Sequence, residues 1–336
     1  MTSSLLIVLL ATLPAQSAPP LEGPEAGSIS GVVVNASQDG QVVAYAEVAL
    51  RVMVDGQFVV AGETTTDGQG RFRFGDIPAD PEYVYLAGAN WQTVHYPGER
   101  LQLSGSQRDA SIQLSVHDAL QSPSPLVVRR HEITIEREGE SLQVTEALLV
   151  DNPTQTTFVG QPKKDDGRAA TLTLSVPSDF ARTTFHEEFF GRRFALIDGQ
   201  LVTDVPWTPG EREVKFTYVL PDPHGDRVWE RVLDLPTSDI QVRAKSKDAH
   251  CLTASLQAAE PTEPGTVTFA ADSLPAGHVL QIDLQRAPQS FAIDPRWLAL
   301  AVLAAAIVAS VFSAKRTARK PETGTPSAQE TLRRAA

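Results

Sequence analysis

The sequence predicts an all-β protein, built as two antiparallel β-sandwich domains (three if the second region divides) and closed by one C-terminal transmembrane helix. Three observations carry this. Apolar and polar residues alternate over short runs rich in Val and Thr, the period-two signature of half-buried strands. The runs are broken throughout by turn chemistry drawn from 22 Gly and 24 Pro. A chain of 336 residues that is 42% hydrophobic is too apolar for disorder and long enough for two domains. The single cysteine, Cys251, excludes an intrachain disulfide and any CxxC-type zinc or redox centre.

Taken in chain order, residues 1–18 read as a signal peptide. The apolar stretch 5–13 is too short to span a bilayer, and Ala15-Gln16-Ser17 has the small-x-small pattern of a cleavage site. A basic segment before the apolar stretch is missing, and a buried N-terminal strand is the alternative. Pro14, Pro19 and Pro20 argue against that strand, because proline cannot donate to a ladder.

The first exported domain covers 27–116. Strands are predicted at 28–34, 46–53, 57–64, 71–74, 82–87 and 110–115, separated by Gln38-Asp39-Gly40, Asp55-Gly56, Asp67-Gly68-Gln69-Gly70 and Asp80-Pro81. In each of the first three turns Gly permits positive φ, and Asp can bond its own downstream backbone. Asn35-Ala36-Ser37 fits a glycosylation acceptor pattern that matters only in a eukaryotic host. A calcium reading of Asp67 and Asp76 lacks the ring of carboxylates such a site needs.

These residues also carry a resemblance. Ser30-Gly31-Val32-Val33, then Ala46-Glu47-Val48-Ala49-Leu50, then Thr66-Asp67-Gly68-Gln69-Gly70-Arg71-Phe72-Arg73-Phe74, followed by Ile77-Pro78 and Tyr83, resemble the carboxypeptidase regulatory-like domain. The resemblance covers nearly all of 27–116 and implies a transthyretin-like β-sandwich. It departs at Ala79-Asp80-Pro81, where a Gly is commoner. It points to the accessory domain of metallocarboxypeptidases and not to their zinc domain, so it implies no catalysis.

Residues 117–125 are predicted to be a linker, stiffened by Ser122-Pro123-Ser124-Pro125. The second sandwich region, 126–287, alternates at 132–136, 142–150, 171–176, 194–196, 201–205, 213–219, 229–234, 240–244, 266–270 and 279–284. Asp198-Gly199 predicts a hairpin. One sandwich, or two divided near 221–225, both fit this pattern.

Residues 297–314 contain no charge and as a helix would span roughly 27 Å, close to the hydrocarbon thickness of a bilayer. Trp297 suits the outer interface, while Lys315, Arg316, Arg319 and Lys320 follow the span and anchor a basic cytoplasmic tail, 315–336. The expected arrangement is single-pass type I, with the domains in the periplasm or outside the cell. Residues 297–336 carry six Lys/Arg against two Glu, a net +4, which leaves −16 on the rest of a chain whose total is −12. So acidic an exported part disfavours nucleic acid as a partner.

Signals for chemistry are sparse. The sequence has no GxSxG, no P-loop and no GxGxxG after a strand, and no two of the seven histidines have i, i+4 spacing. His131-Glu132 and His186-Glu187-Glu188 read as surface pairs, the latter being the best start for a metal-assisted hydrolase. His250 and Cys251, adjacent on a strand, point to opposite faces and so do not make a nucleophile pair. Trp91 and Tyr96 are placed in a loop, where they could form an aromatic platform for a glycan. The expectation is therefore a non-enzymatic, membrane-anchored envelope protein without cofactors, presenting its domains to a protein or glycan partner or acting as an accessory subunit. A passive spacer is the other alternative.

Overall fold

The computed structural model describes residues 26–161, 169–186, 194–197, 199–261 and 263–284. The signal peptide, the span 297–314 with Trp297, and the anchor residues Lys315, Arg316, Arg319 and Lys320 lie outside the described residues. What is described is all-β, as the alternation predicts.

The first region contains β1 (Ala26–Asn35), β2 (Gln41–Val42), β3 (Glu47–Val54), β4 (Gln57–Thr65), β5 (Arg71–Pro78), β6 (Tyr85–Trp91), β7 (Val94–Leu101), β8 (Asp109–Val116) and β9 (Ala119–Leu120). One sheet runs β4-β3-β6-β7. The other places β1 between β5 and β8, with β2 at its end. Their inner faces share one core, in which Ile29, Val33, Leu50, Phe72, Ala87 and Leu114 are buried. β1 and β8 pair in parallel, against the antiparallel expectation, because they are joined through the whole region rather than by a hairpin.

The 66–74 motif works locally. Asp67 Oδ1 accepts from the backbone N–H groups of Gln69 and Arg71, both at 2.8 Å, while Gly70 takes φ +72°. These two bonds hold the Asp67 carboxyl below its ordinary pKa. Phe72 and Phe74 then alternate into the core, their ring centroids 6.0 Å apart. Thr66 is 2% exposed, donates to Val43 O and accepts from Ala46 N, each at 2.8 Å, and so pins the crossing into β3. Thr66→Val leaves both backbone groups buried and unpaired. It is expected to cost roughly 1–3 kcal/mol in urea unfolding, and no measurable loss would show that water satisfies them.

The strand β7 runs through the stretch expected to be a loop carrying Trp91 and Tyr96. It is an edge strand, and Pro97 opposes Gly88 beside an irregularity in the register, where a missing N–H is tolerated. Trp91 and Tyr96 consequently lie on strands, at the end of β6 and within β7.

The second region contains β10 (Val127–Glu138), β11 (Ser141–Asn152), β12 (Thr157–Phe158), β13 (Leu172–Ser175), β14 (Arg182–Phe185), β15 (Ala195–Ile197), β16 (Gln200–Thr203), β17 (Gly210–Pro221), β18 (Val228–Val232), β19 (Thr237–Ala244), β20 (His250–Cys251), β21 (Gln257–Ala259), β22 (Val267–Leu274) and β23 (Val279–Asp283). A seven-stranded sheet, β14-β17-β11-β10-β19-β22-β21, takes strands from both sides of 221–225. Two three-stranded sheets, β13-β16-β15 and β18-β23-β20, contribute to the same core, which runs from Leu126 to Leu284. A single core thus serves the whole region. β15 and β16 form the hairpin predicted at 198–199, with Gly199 at φ +76°.

Candidate functional site: the cleft between the two regions

Residues 117–125, expected to act as a linker, begin as a bonded joint. β9 pairs in parallel with β12, so the chain leaving the first region lies on the second before it enters β10. Ser37 Oγ donates to Gln155 O at 2.6 Å, and His117 Nδ1 donates to the same carbonyl at 2.9 Å. Asp118 accepts from Gln38 Nε2 at 2.9 Å and from Asn35 Nδ2 at 2.7 Å, with a longer bond from Gln92 Nε2. Gln38 foremost, aided by Asn35 and Gln92, holds the Asp118 carboxyl below its ordinary pKa. Asn35, the acceptor-pattern residue, is 3% exposed.

Tyr96, one of the two aromatics expected to form a platform, is instead part of this joint. It is 4% exposed, and its hydroxyl lies 2.8 Å from both His117 O and Thr157 Oγ1. Burial raises its pKa, so the hydroxyl stays a donor. Trp91 is half-buried against the first core. Tyr96→Phe is expected to cost about 1 kcal/mol in chemical denaturation, the usual net worth of one such bond. An unchanged midpoint would remove the hydroxyl from the account of the joint.

Between the two regions the joint leaves a cleft of about 990 Å³. Its first wall carries Arg51, His95 and His117, and its second carries Asp204, Thr208 and Arg212. Gly88 makes room for the His95 ring, since a Cβ there would lie 2.5 Å from Cε1. His95 Nε2 lies 2.8 Å from Arg51 Nη1 and Nδ1 lies 2.7 Å from Asn90 Oδ1. A guanidinium can only donate, so Nε2 accepts and the ring proton sits on Nδ1, where Asn90 receives it. Burial first, and then the Arg51 charge, hold His95 below its ordinary pKa and keep it neutral. On the opposite wall, Arg212 stacks on the Trp207 ring at 5.5 Å and donates to Pro206 O and Thr208 Oγ1. Burial lowers its pKa to about 10, which leaves it charged at neutral pH.

The other sequence candidates lie elsewhere. His186 Nε2 is bonded to Thr217 Oγ1 at 2.7 Å, while Glu187 and Glu188 fall outside the described residues. Among the described residues no group of three His, Cys, Asp or Glu is placed to hold a metal. The Cys251 thiol donates to Thr253 O, and burial raises its pKa, which opposes thiolate formation. His131 is not a surface residue. It is 1% exposed and bonded to Glu146 Oε2 at 3.0 Å inside the second core.

Sequence reasoning missed the cleft residues because they come from β3, β7 and β17, whose assembly no local spacing announces. The nearest signal was Arg51, which follows the buried Val48-Ala49-Leu50 run yet continues the same strand. No protein-family model matches the chain, and no curated protein matches it.

Proposed function

We propose that the chain is a non-enzymatic, membrane-anchored envelope protein whose two β-sandwich domains are locked into one binding unit, the first of them of the carboxypeptidase regulatory-like kind. The sequence supports the anchor and the exported topology through the uncharged stretch 297–314 and the basic residues behind it. The binding role rests on one observation, the cleft of about 990 Å³ walled by both domains and floored by a hydrogen-bonded joint. A cavity of that size holds a small organic ligand or the tip of a larger partner. A passive spacer has no use for an arginine oriented through two further side chains, as Arg51 is.

Photo-crosslinking in cells tests this. A photoreactive residue at Thr93 or Thr208, each on the cleft rim, is expected to give a discrete adduct that a probe on an exposed strand such as β4 does not. Equal labelling from both places would return the chain to the spacer reading.

A further inference from the structure

Three side chains from neighbouring strands of one sheet are bonded in series on the first wall of the cleft. Arg51 of β3 donates from Nη1 to His95 Nε2 of β7 at 2.8 Å, and His95 Nδ1 donates to Asn90 Oδ1 of β6 at 2.7 Å. β6 lies between the other two strands, and at the crossing it carries Gly88, paired with Ala49 on one side and Pro97 on the other. No side chain therefore separates the imidazole from the guanidinium. The ring is packed so closely on Gly88 that a Cβ there would lie 2.5 Å from Cε1 and 2.8 Å from Nε2. With Asn90 holding Nδ1, the ring is fixed from two sides. Arg51 is the member free to move, because its guanidinium rides on a flexible stem and is half-buried on the cleft wall.

A second proton on the ring has one place to go. Nδ1 already carries a proton, so it must enter at Nε2, the atom that accepts from Arg51. Two donors then face each other and an imidazolium meets a guanidinium, while the bond from Nδ1 to Asn90 is kept. We infer that Arg51, His95 and Asn90 form an acid-operated latch, in which protonation of His95 expels the Arg51 guanidinium and remodels the first wall of the cleft. The latch itself needs no partner; its effect on one rests on the binding role proposed above.

Burial first, and then the Arg51 charge, keep His95 below the ordinary imidazole value of 6.5. The latch is accordingly set at neutral pH and opens in acid, below 6.5. Its contribution to stability is complete above 6.5 and declines as the pH falls from there to the folded value, because the unfolded chain takes up the proton first. Among the described residues, Gly88 and Asn90 of β6 are uncharged, His117 follows β8 on the same wall, and Asp204 and Arg212 line the facing wall. Of these surroundings, the Arg51 charge is the one that acts on His95.

The test follows the side-chain nitrogens by NMR in the full-length chain in detergent, isotope-labelled in histidine and arginine, from neutral pH into acid. His95 is expected to titrate below 6.5, with the Arg51 signals shifting over the same interval. Arg51→Gln should move the His95 midpoint upward, since it removes the opposing charge and keeps a polar side chain. In His95→Gln the amide oxygen still accepts from Arg51 and does not titrate, so the Arg51 signals should hold still. The latch is overturned if Arg51 stays fixed while His95 titrates, if Arg51→Gln leaves the midpoint in place, or if Arg51 shifts equally in His95→Gln. Should His95→Gln fail to fold, the midpoint in Arg51→Gln decides alone.

Photo-crosslinking from Thr93 in cells moved to acid medium reads the consequence for a partner. The adduct should be lost over the interval in which His95 titrates and should persist in His95→Gln. An adduct indifferent to pH while Arg51 moves would overturn the effect on the partner. Adducts missing at every pH would remove the binding role and leave the latch to be decided by the titration.

Discussion

Glu146→Gln is expected to destabilise the second region by about 3–5 kcal/mol, the largest single effect foreseen outside the cleft. Glu146 is fully buried on β11, where its Oε1 accepts from Tyr218 Oη at 2.9 Å and from Arg231 Nε at 3.0 Å, and its Oε2 accepts from His131 Nε2. Arg231 is 2% exposed and also meets Asp234, which accepts from Ser175 N and Oγ. Trp229 Nε1 donates to Tyr218 Oη at 3.0 Å, so the network ties β18 of one layer to β17, β11 and β10 of the other. An amide at position 146 keeps the shape and removes the charge, leaving the Arg231 guanidinium buried against Asp234 alone. Denaturation followed by the fluorescence of buried Trp207 and Trp229 measures the loss, and a cost below about 1 kcal/mol would mean that water reaches Arg231.

The same network sets an acid limit. Burial pushes the Glu146 carboxyl upward, but the Arg231 charge, the His131 bond and the Tyr218 hydroxyl outweigh it and bring the pKa from 4.5 to about 2. A carboxylate depressed on folding stabilises the protein above its unfolded pKa. Its contribution is therefore complete above pH 4.5 and declines as the pH falls toward 2. In Glu146→Gln that part of the acid sensitivity should disappear. A double variant, Glu146→Leu with Arg231→Met, should be more stable than Glu146→Gln, because it removes the buried Arg231 charge together with its carboxylate, while Asp234 keeps its bonds from Ser175 N and Oγ.

This network was legible in principle, in a way the cleft was not. His131 shares a strand face with Ile133 and Ile135, Glu146 with Val144 and Leu148, and Arg231 with Trp229 and Leu233, all of them buried. Three ionisable residues, each in the apolar phase of its strand, can be buried only if they meet. Reading His131 with its neighbour Glu132 hid this, since adjacent strand residues face opposite ways. The motif at 66–74 was readable because its bonds close within a few residues. Arg51, His95 and Arg212 gave no comparable sign, because a cleft between two regions of the chain leaves strand periodicity unchanged. Strand β7 was lost to Pro97, whose meaning depends on being at a sheet edge, a fact of tertiary structure.

Gly31→Ala should destabilise the first region by roughly 3 kcal/mol, at the upper end of overpacking costs, although alanine normally improves on glycine within a strand. Gly31 needs no positive φ. Its constraint is space, since a Cβ there would lie 2.2 Å from the Ile112 carbonyl oxygen and 2.7 Å from Cζ of Phe72. β1 is flanked by β8 on one side and β5 on the other, with Gly31 opposite Ile112 and Phe72 in the two registers. The Phe72 ring could swing away only by leaving the core, and the carbonyl could move only by breaking the parallel β1–β8 ladder. That ladder runs on to Val116, next to His117 and Asp118 of the joint, so the variant should loosen the cleft as well. Gly75→Ala is the control, because a Cβ there meets nothing within 4 Å and the change should be neutral or mildly stabilising. Adding Phe72→Leu to Gly31→Ala should cost less than the sum of the two single changes, since the smaller side chain relieves one of the two clashes. Strict additivity in that cycle would place the strain entirely at Ile112, and a neutral Gly31→Ala would show that β1 and β8 can separate without loss.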